Sequence, residues 1–198
     1  MNKNILIAGI GGQGVNTLSI AIQNTCIKQG LYCKSAIFKG GAQKRGAIYS
    51  FIRVFSEKND KTKHFGGEIA LGDLDVMIAL EHQEAIRYMK YYNKETRILV
   101  NSDEITFFAK RYQPNTKEIN PSKVLEKRYK NTVISNFSEE SKTFFKNRKM
   151  SNFIMGIQAI RKGSLPISEA VFVAEFLKTR QFSKEIITKI KQYINARN

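Results

Sequence analysis

Apolar residues in this chain alternate between short unbroken runs and longer stretches with helical spacing. The run NILIAGI at 4–10 has no polar interruption after Asn4, the character of a strand covered on both faces. Residues 15–29 place Leu18, Ala21, Ile22, Thr25 and Cys26 on one helical face, and Gly30 supplies a C-terminal stop. YCKSAIF at 32–38 reads as the second strand, which completes a βαβ unit of ordinary length. The loop KGGAQKRG at 39–46 follows, then AIYSFIRVFS at 47–56, an alternating strand rich in β-branched and aromatic residues. EKNDKTKHFGG at 57–67 is a polar connection, read as a turn or hairpin. DVMIALE at 75–81 is another buried strand, HQEAIRYMKYY at 82–92 a helix, and RILVN at 97–101 a further strand.

Residues 102–121, a polar stretch carrying Pro114 and Pro121, read as a long loop. Pro121 opens a helix over 122–129, and NTVISNF at 131–137 is the last strand. The remainder is helical: 138–147, then 150–163 ending at Gly163, then two amphipathic helices with Ser168 and Ser183 as N-caps. In the last of these, Phe182, Ile186, Ile190 and Ile194 form an apolar stripe, and Lys184, Lys189 and Lys191 keep the other face positive. The succession predicts an α/β protein: a three-layer αβα sandwich with a mostly parallel sheet, a Rossmann-like N-terminal half and a helical C-terminal third. Nothing repeats at a fixed period and no low-complexity linker divides the chain, so residues 1–198 are read as a single domain.

In open sheets of this kind the binding crevice lies outside the carboxyl ends of the strands. GIGGQG and KGGAQKRG should therefore both emerge at that edge. Gly9, Gly11 and Gly14 have the GxGxxG spacing of a dinucleotide loop, placed after a strand and before a helix. Such a site also needs an acidic residue about twenty positions on, for the ribose hydroxyls. The first acidic residue of this chain is Glu57, and Lys34 and Lys39 stand near the end of the second strand instead. Ordinary NAD binding is thus disfavoured, while a cation there suits an extra phosphate, as on NADP or coenzyme A. Gln13 carries a side-chain amide inside the loop, able to meet a ligand or to tie the turn down.

With 33 basic and 17 acidic residues the formal net charge is +16, which nucleic acid, a polyanionic cofactor or acidic protein subunits could each explain, and which reads most simply as a generally solvated basic surface. The cations are spread along the chain without any nucleic-acid-binding signature, so no nucleic acid is expected. No apolar run approaches membrane-spanning length and the N-terminal apolar stretch is too short for a secretory signal, so the expectation is a cytoplasmic protein with no membrane partner. Cys26 and Cys33 match no metal spacing and are read as reduced core thiols, with no metal site.

GIGGQGV, joined to KGGAQKRGAIYSFIRV, resembles the gamma-type domain of the 2-oxoacid:ferredoxin oxidoreductases, most of all the beta subunit of the indolepyruvate enzymes. In that family the second loop has the form HGMAQRGG. Here Lys39 stands in place of the His, Gly41 of the Met and Arg45 of the first paired glycine, while Ala42, Gln43 and Gly46 match. LGDLDVMIALEHQEAIRYMKYY, RILVNSDEI and KMSNFIMGIQAIRKGSLPISEAV follow the family pattern in order, and residues 102–149 follow it least.

The resemblance implies oxidative decarboxylation of a 2-oxoacid, pyruvate or indolepyruvate in type, to an acyl coenzyme A, with electrons passed to ferredoxin. It implies thiamine diphosphate and [4Fe-4S] clusters on a larger partner subunit and none on this chain, no catalytic residue here, and an isolated chain without activity. Gly9, Gly11, Gly12, Gln13 and Gly14, together with Lys39, Gln43, Lys44 and Arg45, are the candidate residues for coenzyme A phosphates or substrate entry. Two other readings stand beside it: a stand-alone α/β protein with an NADP-like or coenzyme A ligand, and a basic adaptor that binds only protein. An exposed interface leaves homodimerisation of the isolated chain open.

Glu81 and His82, at the end of a strand, could do acid and base work but read more simply as a surface pair. His64 reads as solvated, Tyr88, Tyr91 and Tyr92 as packing residues on a helix, and Thr17 and Ser19 as lacking a nearby His.

Overall fold

The computed structural model describes residues 2–40, 46–56, 66–103 and 120–196. Its strands are β1 (Asn2–Ile10), β2 (Tyr32–Lys39), β3 (Ala47–Phe55), β4 (Leu74–Ala79), β5 (Tyr92–Asn101) and β6 (Thr132–Ser135). The helices are α1 (Val15–Lys28), α2 (His82–Arg87), α3 (Pro121–Arg128), α4 (Phe137–Phe145), α5 (Ser151–Arg161), α6 (Glu169–Lys178) and α7 (Lys184–Asn195). One six-stranded sheet runs in the order β2-β3-β1-β4-β5-β6. The β1–β4, β4–β5 and β5–β6 pairs are parallel; β3 alone runs the other way, antiparallel to both β1 and β2.

This order changes the expected βαβ unit. β2 runs in the same sense as β1, but β3 lies between them, with Ile5 opposite Ile52 and Ser35 opposite the same Ile52. Strand, helix and strand are as the sequence predicts; the two strands simply are not neighbours.

Central β1 explains its own unbroken apolar run. Ile5 and Ile7 face a large core built with α1, α4, α5, α6 and α7. Leu6 and Ala8 face a smaller core with Ala85 of α2 and Leu125 of α3. Strand side chains alternate between faces, so a strand covered on both sides must be apolar at every step. Each such isoleucine or leucine, buried, contributes about 1.5–3 kcal/mol relative to exposure. The larger layer is dominated by rings: Phe153 touches Phe145, Phe172, Phe176 and Tyr193.

Local end signals hold. Gly30 adopts φ 76° just beyond α1, and Ser168 and Ser183 accept hydrogen bonds from the Val171 and Ile186 amides. In α7 Ile190 is fully buried, with Phe182, Ile186 and Ile194 packed against the core.

The helix expected over 82–92 is shorter. α2 ends at Arg87, a 3₁₀ turn covers Met89–Tyr91, and Tyr92 begins β5 opposite Leu74. Ala85, Tyr88 and Tyr92 share the smaller core, so their helix-like spacing records a common apolar environment across two element types. Glu81 and His82 are also not a surface pair, being 0% and 5% exposed. The polar connection over 57–65 with His64, and the loop over 104–119, lie outside the described residues.

Candidate functional site

At the carboxyl edge of the sheet, β1 delivers Gly11 to Gly14 into a tight turn before α1. Gly12 and Gly14 hold φ 97° and 85°, a left-handed region that side chains with a Cβ rarely adopt. Gly14 is the N-cap of α1, with no side-chain cap and no acidic residue in the first turn. The first N–H groups of that helix therefore carry the uncompensated positive end of its dipole, suited to an anion.

Gln13 is committed within the chain at both ends of its amide. Its Oε1 accepts from the Ile10 N–H at 2.8 Å and its Nε2 donates to the Leu80 carbonyl at 3.0 Å, which fastens the loop between β1 and β4. A Cβ on Gly9 would lie 2.7 Å from Gln13 Oε1, so glycine there makes room for the amide. Two asparagines that sequence reasoning missed complete the support. Asn101, at the end of β5, donates to Leu80 O at 3.1 Å and to Ser138 Oγ at 2.8 Å. Asn152, on α5, donates to Gly14 O at 3.2 Å. Their signal was a lone amide at the border of an apolar stretch, closing it in RILVN and opening it in SNFIM.

The second loop meets the first. Gly11 N–H donates to Gly46 O at 2.9 Å, and Gly40 N–H to Ala47 O at 2.7 Å, so the ends of 39–46 are pinned beside the glycine turn. Lys39 is exposed at the end of β2. Gln43, Lys44 and Arg45 lie outside the described residues. Both glycine-rich segments thus leave the sheet at one edge.

Glu81, His82 and Ser19 make contacts within the chain. Glu81 accepts from the Gln83 and Glu84 amides at 2.7 and 3.1 Å, an N-cap of α2, and His82 Nε2 sits 2.8 Å from Ser122 Oγ. Glu84 is fully buried; desolvation pushes its carboxyl above the ordinary range, opposed by Arg87, whose Nε donates to it at 2.9 Å. Ser19 Oγ pairs with Ser50 Oγ at 2.7 Å. Among the described residues no group of three or more His, Cys, Asp or Glu could hold a metal ion. No helix among them is long and apolar enough to cross a membrane.

A three-layer sheet protein with one reversed strand and two glycine loops joined at the carboxyl edge is the class these features define. Residues 4–196 match the family described as pyruvate ferredoxin/flavodoxin oxidoreductase, and the chain belongs to it. The indolepyruvate oxidoreductase subunit IorB of Archaeoglobus fulgidus is 36% identical over 105 residues, 53% of this chain and 49% of that protein. Its counterpart in Methanothermobacter thermautotrophicus is 30% identical over 108 residues, 54% of this chain and 52% of that one. The matched stretch spans about half the length of these curated relatives. Among solved structures, the pyruvate oxidoreductase subunit PORC of Thermotoga maritima superposes with TM-score 0.67 at 14% identity, over 98% of this chain and 94% of that one. A 2-oxoglutarate:ferredoxin oxidoreductase of Magnetococcus marinus, solved with 2-oxoglutarate, coenzyme A and succinyl-CoA, gives TM-score 0.68 at 16% identity, over 99% of this chain and 30% of that one. At those identities the likeness is one of fold.

Proposed function

We propose that this chain is the small, gamma-type subunit of a cytoplasmic 2-oxoacid:ferredoxin oxidoreductase of the indolepyruvate kind. The junction of GIGGQG with the ends of KGGAQKRG at one sheet edge, in a chain that matches the family over 4–196, carries this reading. The chain's two cysteines are too few for a [4Fe-4S] cluster, which takes four thiolates. That fits the family resemblance, which implies clusters and thiamine diphosphate on a larger partner subunit. When bound there, thiamine diphosphate supplies the carbanion stabilisation that decarboxylation of a 2-oxoacid requires.

This chain's own contribution is a rigid, amide-lined edge. Gln13 holds the turn shut, Gly14 leaves the α1 amides without a side-chain cap, and Lys39, with Lys44 and Arg45 of the second loop, supplies positive charge. That combination fits the phosphates of coenzyme A. The excess of 33 basic over 17 acidic residues suits docking against an acidic face of the larger subunit.

Co-expression with the larger subunit, followed by turnover with a 2-oxoacid, coenzyme A and ferredoxin, tests the proposal. Substituting Lys44 and Arg45 by Ala should raise the KM for coenzyme A at least about tenfold, the loss of one or both charge-assisted contacts, with little change in that for the 2-oxoacid. Unchanged kinetics for coenzyme A, or full turnover by this chain alone, would overturn it.

A further inference from the structure

At the opposite end of the sheet, the turn between α1 and β2 brings the chain's two thiols together. Cys26 lies in the last turn of α1 and Cys33 is the second residue of β2. Leu31 N–H returns to Cys26 O at 2.9 Å and Gly30 takes its left-handed φ, so the strand folds straight back under the helix. Cys33 packs against the core cluster that contains Cys26, and Ser35, two residues further along the same strand face, donates to Gln23 Oε1 at 2.7 Å, one helical turn before Cys26, so strand and helix set the two thiols side by side, each shifting the titration of the other. Neither is in a disulfide.

The two sulfurs differ in access. Cys26 is 1% exposed, whereas Cys33 is half-buried and lines an open cavity of about 560 Å³ walled by Ile27, Leu31, Tyr32 and Phe55. Ile27 and Tyr32 are among the large apolar side chains most open to solvent, at 59% and 44%. The recess, mostly apolar with Lys34 also on its wall, gives a small molecule access to the Cys33 thiol.

We propose that Cys33 and Cys26 form a dithiol site that is oxidised reversibly by small organic disulfides entering this cavity. The Cys33 thiolate attacks one sulfur of the incoming disulfide; the S–S bond breaks, one thiolate leaves, and Cys33 carries the other half as a mixed disulfide. The Cys26 sulfur then attacks the Cys33 sulfur, and the second half departs with the proton that Cys26 gives up. Two protein thiols lose two electrons, and one external disulfide becomes two thiols. The interaction between the two thiols holds that of Cys33 below its ordinary range and, with burial, pushes that of Cys26 well above it. Attack by Cys33 first is the order this asymmetry favours.

The test uses the full chain and bis(2-hydroxyethyl) disulfide, followed by intact mass and peptide mapping. Expected are a product two hydrogens lighter with a Cys26–Cys33 link, its reversal by dithiothreitol, and unfolding at higher urea than the reduced chain. Cys26→Ser should stop at the mixed disulfide on Cys33, and Cys33→Ser should react at least about tenfold more slowly, since only the buried thiol remains. If Cys26→Ser does not fold, the wild-type product decides alone. A wild-type chain that stays reduced while folded, or accumulates a stable adduct on Cys33 without the internal link, overturns the proposal.

Discussion

Removing the Gln13 amide should loosen the whole glycine-loop edge. Gln13→Ala deletes the bond accepted from Ile10 N–H and the one donated to Leu80 O. Leu80 O keeps Asn101 Nδ2 as a donor, so the acceptor is not abandoned. Ile10 is 2% exposed, and its N–H loses this partner in a place water reaches poorly. Two net hydrogen bonds at about 1 kcal/mol each, with part of one buried donor's desolvation, give a loss of about 2–3 kcal/mol. For a chain of this length that is a fall in thermal midpoint of roughly 4–12 °C. Urea unfolding, with the m-value checked for constancy, measures it. Gln13→Glu separates the two bonds: a carboxylate still accepts from Ile10 but sets an oxygen against the Leu80 carbonyl. Its deficit should be largest at neutral pH and shrink as the carboxyl is protonated. A Cβ on Gly9 would press on the same amide, so Gly9→Ala should cost less in the Gln13→Ala background, with a coupling of at least about 0.5 kcal/mol. Gln13→Ala within about 0.5 kcal/mol of wild type, or strict additivity with Gly9→Ala, would refute the reasoning.

The larger core offers a second measurement, because a Cβ on Gly156 would lie 2.5 Å from Phe172 Cζ and 3.0 Å from Leu18 Cδ1. Gly156→Ala should destabilise by about 1–3 kcal/mol through overpacking, partly recovered by Phe172→Leu, in paired denaturation curves. Glu84 predicts a pH dependence. Its pKa is raised in the folded state, so the folded protein binds the proton more tightly than the unfolded chain and stability falls as pH rises through the carboxylate range. Glu84→Gln should flatten that fall, gaining on wild type toward neutral pH and losing the advantage below the ordinary carboxylate pKa; parallel stability profiles would contradict it.

Much of the edge is legible in the sequence. GIGGQG lies between a strand and a helix, and the loop 39–46, which ends a strand, belongs at the same edge, where the Gly11–Gly46 bond joins them. The part Gln13 plays there is not legible: its amide is equally suited to a ligand or to the turn, and both of its polar atoms serve the turn. The supporting asparagines lie far away along the chain, Asn152 bonding Gly14 across 138 positions. No local pattern marks such a partner.

By itself the sequence determined what short-range physics controls: unbroken runs for strands covered on both faces, the 3.6-residue stripe of α7, glycine stops, and serine caps at Ser168 and Ser183. Only the tertiary structure decided that β3 enters between β1 and β2, that Tyr92 belongs to a strand, and that Glu81 and His82 are buried. Each of these depends on which distant segment supplies the missing hydrogen bonds or excludes the water. That choice is a property of the assembled sheet and its two cores, settled by packing over the whole chain and not by any window of residues.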